Sequence, residues 1–100
     1  MIHYHVWFTL KPAVDEAEGL AVARSFLNEL AGRGAVGRSL LLRNTGEAPK
    51  SRLPRYHALF EFADDQQMER AFAAQRAEGI HACAHGRLVA EMQVEVFREV

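Results

Sequence analysis

Residues Ile2 to Leu10 alternate along their length: Ile2, Tyr4, Val6 and Phe8 fall on one side of an extended chain, and His3, His5, Trp7 and Thr9 on the other. Period-two patterning in aromatic and β-branched residues marks a strand, because successive side chains of a pleated backbone point to opposite faces. The pattern recurs from Tyr56 to Ala63, with Tyr56, Ala58, Phe60 and Phe62 on one face and His57, Leu59 and Glu61 on the other. Two such strands, each with one fully apolar face, demand a sheet that is covered on that side.

The cover is supplied by two segments of helical period. Asp15 and Glu18 have capping-box spacing, and Glu16 and Glu18 suit the positive end of a helix dipole. Beyond them Leu20, Ala23, Phe26, Leu27 and Leu30 form one stripe opposite Arg24, Ser25, Asn28 and Glu29, and Gly32 and Gly34 stop the helix. A second helix starts at Asp64 with Gln67 at the box position, buries Met68, Ala71 and Phe72, and ends near Gly79. Ser39 to Arg43 is a short strand and Gln93 to Arg98 a final one; Ile80 to Met92 is ambiguous, with room for a short helical piece. The order β-α-β-β-α-β predicts an α+β, ferredoxin-like fold: a four-stranded antiparallel sheet, strands 1 and 3 central, both helices on one face.

A chain of 100 residues accommodates one domain, spanning 1–100. Its net charge of −1 argues against a nucleic-acid partner, which needs clustered Lys and Arg. No apolar run approaches the roughly 20 residues of a membrane span, and the polar start lacks signal-peptide features, so the expected location is the cytoplasm. Cys83, the only cysteine, has no disulfide partner within the chain and cannot build a thiolate metal site alone. No metal site and no cofactor are expected.

On the helix side Ile2, Val6, Phe8, Ala58, Phe60, Phe62, Val94 and Val96 are expected to pack beneath the helices. The opposite face carries His3, His5, Trp7, His57, Leu59, Glu61, Glu95 and Phe97. It is too aromatic for an ordinary wet surface and too polar for a dry core. The economical reading is a homodimer in which two sheets pack face to face. His3, His5, Trp7, His57, Leu59 and Phe97 are then interface residues, and the imidazole–carboxylate groups form either a hydrogen-bonded seam or a metal- or pH-responsive cluster.

The opening Met1-Ile2-His3-Tyr4-His5-Val6-Trp7-Phe8-Thr9-Leu10-Lys11-Pro12, followed by Val14 and an acidic helix start, resembles the dimeric α/β-barrel superfamily, most closely its stress-responsive A/B-barrel branch. The Arg43-to-Tyr56 loop marks an uncharacterised branch within it. The resemblance implies a homodimer whose sheets form a barrel with helices outside. It also implies kinship with cofactor-independent monooxygenases of aromatic substrates, polyketide cyclases and members without assigned activity. Cyclase-like members use a histidine on the first strand and another after the second helix. Tyr4 holds the first position here. The second falls in His81-Ala82-Cys83-Ala84-His85, where the family often reads His-Pro-Ala-His; His81 matches by distance to the last strand, His85 by place in the pair.

The candidate catalytic residues are therefore Tyr4, His81 and His85. On a helix, His81 and His85 would share a face, as an acid–base pair or as two histidines at a helix end. Tyr4 would either meet a substrate between sheet and helices or be a core aromatic. Arg52 and Arg55, in a loop that also carries Arg43 and Lys50, would hold a ligand carboxylate or phosphate, or simply be solvated. Cys83 is read as an inert thiol. Three functions compete: a binder of a small hydrophobic or aromatic molecule, a cofactor-independent monooxygenase- or cyclase-like enzyme, and a structural or stress-associated dimer.

Overall fold

The computed structural model describes residues 1–34, 36–78 and 88–100, with the backbone alone for 74–78. The elements are β1 (Ile2–Leu10), α1 (Glu16–Gly32), β2 (Arg38–Arg43), β3 (Tyr56–Phe62), α2 (Asp65–Glu78) and β4 (Val89–Arg98). The sheet order is β2-β3-β1-β4 and each neighbouring pair is antiparallel, so β1 and β3 are central as expected.

Both helices begin where the sequence provides a cap. The Asp15 carboxylate accepts from the Glu18 amide at 3.2 Å, and that of Asp64 from the Gln67 amide at 2.8 Å, each satisfying an orphan N–H of a first turn. The Gln67 side chain does not return to the cap residue, as a capping box would have it; its Oε1 accepts from the Ala63 amide at 2.7 Å and its Nε2 donates to the Gly34 carbonyl at 3.1 Å. Gln67 thus ties the start of α2 to the end of α1. Gly34 has φ +68°, a left-handed conformation that glycine adopts without strain, and its amide bonds back to the Ala31 carbonyl at 3.1 Å.

Register fixes the faces. Tyr4 pairs with Phe60 and Val96, and Val6 with Ala58 and Val94, so the even-numbered residues of all three strands share the helix side. Ile2, Val6, Phe8, Tyr56, Ala58, Phe60 and Phe62 are buried there against Leu27, Leu30 and Ala71. Tyr4, Phe62 and Phe72 form a mutual aromatic cluster with ring centroids 5.0–6.5 Å apart. Each large apolar side chain removed from water here contributes about 1.5–3 kcal/mol.

Two expectations are corrected at the last strand. It begins at Val89, so Val89 to Met92 belong to the sheet and pair with β1 across an irregularity at Thr9 and Leu10. Val94 and Val96 lie on the helix side but are 38% and 46% exposed rather than buried. The reason is topological: β4 is an edge strand, beyond the buried patch centred on β1 and β3.

Candidate functional site

The structure has two regions with site-like chemistry, one on each face of the sheet. On the helix side a cavity of about 90 Å³ opens between α1 and the strands. At roughly 10–15 Å³ per enclosed water it has room for several waters or one ring-sized apolar group. Its walls are Val6, Phe8, Phe60 and Val94 from the sheet and Val22, Ala23, Phe26 and Leu27 from α1, with Leu10 and Gly19 at one end. A Cβ on Gly19 would stand 2.7 Å from Leu10 Cδ1, so the glycine is what lets the strand end approach the helix.

Tyr4 lines this cavity, and no other titratable side chain does so among the described residues. Its ring packs against Phe72 at 5.0 Å and Phe60 at 6.1 Å, and its hydroxyl has no hydrogen-bond partner among the described residues. Burial raises the phenol above its ordinary pKa, keeping it a neutral donor at physiological pH. His81, His85 and Cys83 lie outside the described residues.

On the open face, β1, β3 and β4 bring the expected residues together. The His5 Nδ1 and His57 Nε2 atoms are 2.7 Å apart, one ring donating and the other accepting, and the rings are nearly parallel with centroids 4.8 Å apart. Trp7 stacks on His57 at 4.6 Å and 15°, and Phe97 meets His5 edge-on at 4.9 Å. Burial lowers both imidazole pKa values; the charge of His3 lowers His5 further, and that of His5 lowers His57. Both therefore favour the neutral form. His3 instead faces outward to Glu99 at 2.9 Å, and Glu61 accepts from Arg38 at 3.4 Å. Leu59 sits across from His5 in the register.

The sequence reading missed two features. Leu40 and Leu42 of β2 pair with Leu59 and His57, so they extend the apolar part of this face; their parity could have been read once β2 was set beside β3. The other is a brace on the helix side: Tyr56 donates to Glu16 Oε2 at 2.5 Å, and Arg43 donates to Glu16 Oε1 at 2.5 Å. No sequence spacing signals it, since the three residues meet only through the fold.

Of the loop cations, Arg55 Nη1 donates to the Asn44 carbonyl at 3.1 Å and helps close the 44–55 loop. Asn44 does most of that work, donating to Ser51 and Leu53 and accepting from the Gly46 amide. Arg52 is exposed on the same loop, and neither arginine lines the cavity. No group of three or more His, Cys, Asp or Glu side chains among the described residues is placed to hold a metal ion. No helix among them is long and apolar enough to cross a membrane.

The topology and register define a ferredoxin-like protein, and solved structures agree. A protein of Arabidopsis thaliana, At3g17210, superposes with a TM-score of 0.81 at 8% identity, covering 100% of this chain and 96% of that one. SnoaB, a cofactor-independent oxygenase from Streptomyces nogalater, gives 0.75 at 17% identity over 98% of this chain and 91% of its own. A dimeric protein of unknown function with a ferredoxin-like fold, from Bacteroides fragilis, gives 0.65 at 15% identity over 98% and 95%. At these identities the likeness is one of fold. No curated protein matches the chain. The chain belongs to DUF6614, a family of unknown function whose profile matches residues 1–100.

Proposed function

We propose that the protein is a homodimer that binds a small, neutral, hydrophobic or aromatic molecule between sheet and helices. The observation that carries the ligand reading is the apolar cavity with, in its wall, a Tyr4 hydroxyl that has no partner among the described residues. An apolar pocket with one placed donor selects a ring-bearing molecule with a single acceptor and disfavours a charged one, whose desolvation no side chain among the described lining residues offsets.

The dimer reading rests on the open face. Phe97 and Leu42 are 49% and 45% exposed beside Trp7 and Leu59. Four strands spaced about 4.8 Å apart and six to ten residues long span roughly 500 Å² of flat face. With side-chain relief that nears the ~800 Å² per partner of a standard interface. Charges are complementary at the rims: Arg38 lies on the β2 edge, and Glu95 on the β4 edge within two residues of its level. A twofold axis along the strands sets one edge over the other. The dimeric Bacteroides fragilis protein of the same fold is consistent with this arrangement.

The test is thermal stability with phenol and with benzoate, on the protein and on Ala23→Phe, which fills the cavity. The phenol should raise the midpoint of the unfilled protein only, and the carboxylate should raise neither. A shift that survives in Ala23→Phe, or none with any neutral ring compound, rejects the cavity as the site.

A second reading is a cofactor-independent oxygenase, favoured by the likeness to SnoaB and by Tyr4. Oxygen consumption with the bound phenol, lost in Tyr4→Phe, would support it.

A further inference from the structure

We propose that the hydrogen-bonded pair His5–His57 is a proton-operated lock on self-association: the two copies hold together while the pair of neutral rings has taken up no more than one added proton, and a second added proton separates them. The proposal rests on the sheet-face dimer put forward above.

The geometry dictates the proton count. With Nδ1 of His5 and Nε2 of His57 at 2.7 Å, only one of the two facing nitrogens can carry a hydrogen. A first added proton can go to an outward nitrogen of the donor ring; the bond survives and becomes charge-assisted. A second proton puts N–H against N–H between two imidazolium rings set edge to edge, and the contact must open. His57 is sandwiched against Trp7, and His5 is flanked by Trp7 and Phe97, so neither ring can swing away without disturbing the aromatic patch that a second copy would cover.

Of the surrounding charges, His3 favours the same outcome and Glu95 opposes it. On β1, His3 stands two residues from His5 on the same face and adds positive charge when protonated. On β3, Glu61 is engaged by Arg38 of β2. On β4, Glu95 lies opposite His5, with Glu91 further along, while Glu99 is held by His3. Glu95 is thus the carboxylate across from the pair; it lies on an exposed edge strand, where solvent screens it in the separate copy and a rim cation of the second copy would engage it in the dimer. Gln93, across from Trp7, is uncharged.

The sign follows. Both imidazoles sit below their ordinary value of 6.5, and burial by a second copy lowers them further. The associated state then binds fewer protons than the separated one. Association is strongest above the ordinary imidazole value and is lost as pH falls through the lowered values.

Sedimentation velocity of the full chain at micromolar concentration, at about pH 8 and about pH 5, provides the test, with circular dichroism to show that the fold persists. The dissociation constant should rise at least about tenfold on acidification. The double variant His5→Gln, His57→Gln should show no such rise. A dimer of equal strength at both values overturns the lock and leaves the dimer standing. A monomer already at pH 8 overturns the dimer and the lock with it. Equal weakening of wild type and variant, or loss of the fold at pH 5, assigns the effect to other groups and also overturns the lock. A readout independent of the variant is the NMR titration of the imidazole Cε1 protons. The pair should titrate in two steps, the second coinciding with dissociation; midpoints separated by more than about one pH unit refute the proposal.

Discussion

The Tyr56 hydroxyl donates to the Glu16 carboxylate at 2.5 Å, joining the first residue of β3 to the first turn of α1 across forty residues of sequence. Tyr56 itself is 5% exposed, whereas Glu16 is open to water and shared with Arg43. Hydrogen bonding from Tyr56 and the nearby Arg43 and Arg55 guanidinium groups hold the Glu16 carboxyl below the usual carboxylate range. Burial and the Glu16 charge push the Tyr56 phenol up. Tyr56→Phe should lower the thermal midpoint by a few degrees while leaving the ring packing on Phe8 intact. Because the folded pKa of Glu16 is depressed, the stability it brings is present above its ordinary carboxylate value and fades as pH falls through the lowered one. Thermal melts from pH 6 downward should therefore converge for wild type and Tyr56→Phe; a constant difference would place the effect in packing instead.

Tyr4→Phe removes a hydroxyl that has no partner among the described residues, from a wall that is otherwise apolar. Urea unfolding should change by less than about 1 kcal/mol, in either direction. Affinity for a neutral phenol should fall several-fold, while affinity for the corresponding hydrocarbon should hold. Equal loss for both would mean that Tyr4 only shapes the cavity.

Gly19 faces Leu10 and Val14, with a virtual Cβ 2.7 Å from Leu10 Cδ1 and 3.3 Å from Val14 Cγ1. Alanine there gains up to about 1 kcal/mol of helix propensity and loses a similar amount by displacing Leu10. Gly19→Ala should therefore leave stability within about 1 kcal/mol of wild type and weaken ligand binding as the Leu10 side chain moves. Gly19→Leu should destabilise by clearly more, since the longer side chain must displace Val14 as well as Leu10. Denaturant titration of the two variants distinguishes these outcomes.

Gln67 reaches both Ala63 and Gly34. Gln67→Ala should cost about 1 kcal/mol in urea unfolding, and Asp64→Ala a similar amount through the loss of its cap. Phe62, 2% exposed at the centre of the core, sets the scale: Phe62→Ala should cost about 3–5 kcal/mol.

The alternation of Ile2 to Leu10 and of Tyr56 to Phe62 was by itself enough to assign both central strands and both their faces, since a pleated backbone leaves a side chain only two directions. Asp15, Asp64 and Gly34 likewise marked helix boundaries through chemistry confined to one turn. What lay beyond the sequence was every relationship set by distance in space. Val94 and Val96 have the apolar pattern of buried residues, yet their exposure was decided by the edge position of β4, which no local pattern records. The close approach of α1 to Leu10 at one end of the cavity is possible because residue 19 has no Cβ. The His5–His57 bond exists because the β1–β3 register places His57 beside Trp7 rather than two residues away. Periodicity along the chain sets which way a residue points; only the pairing of distant segments sets what it meets.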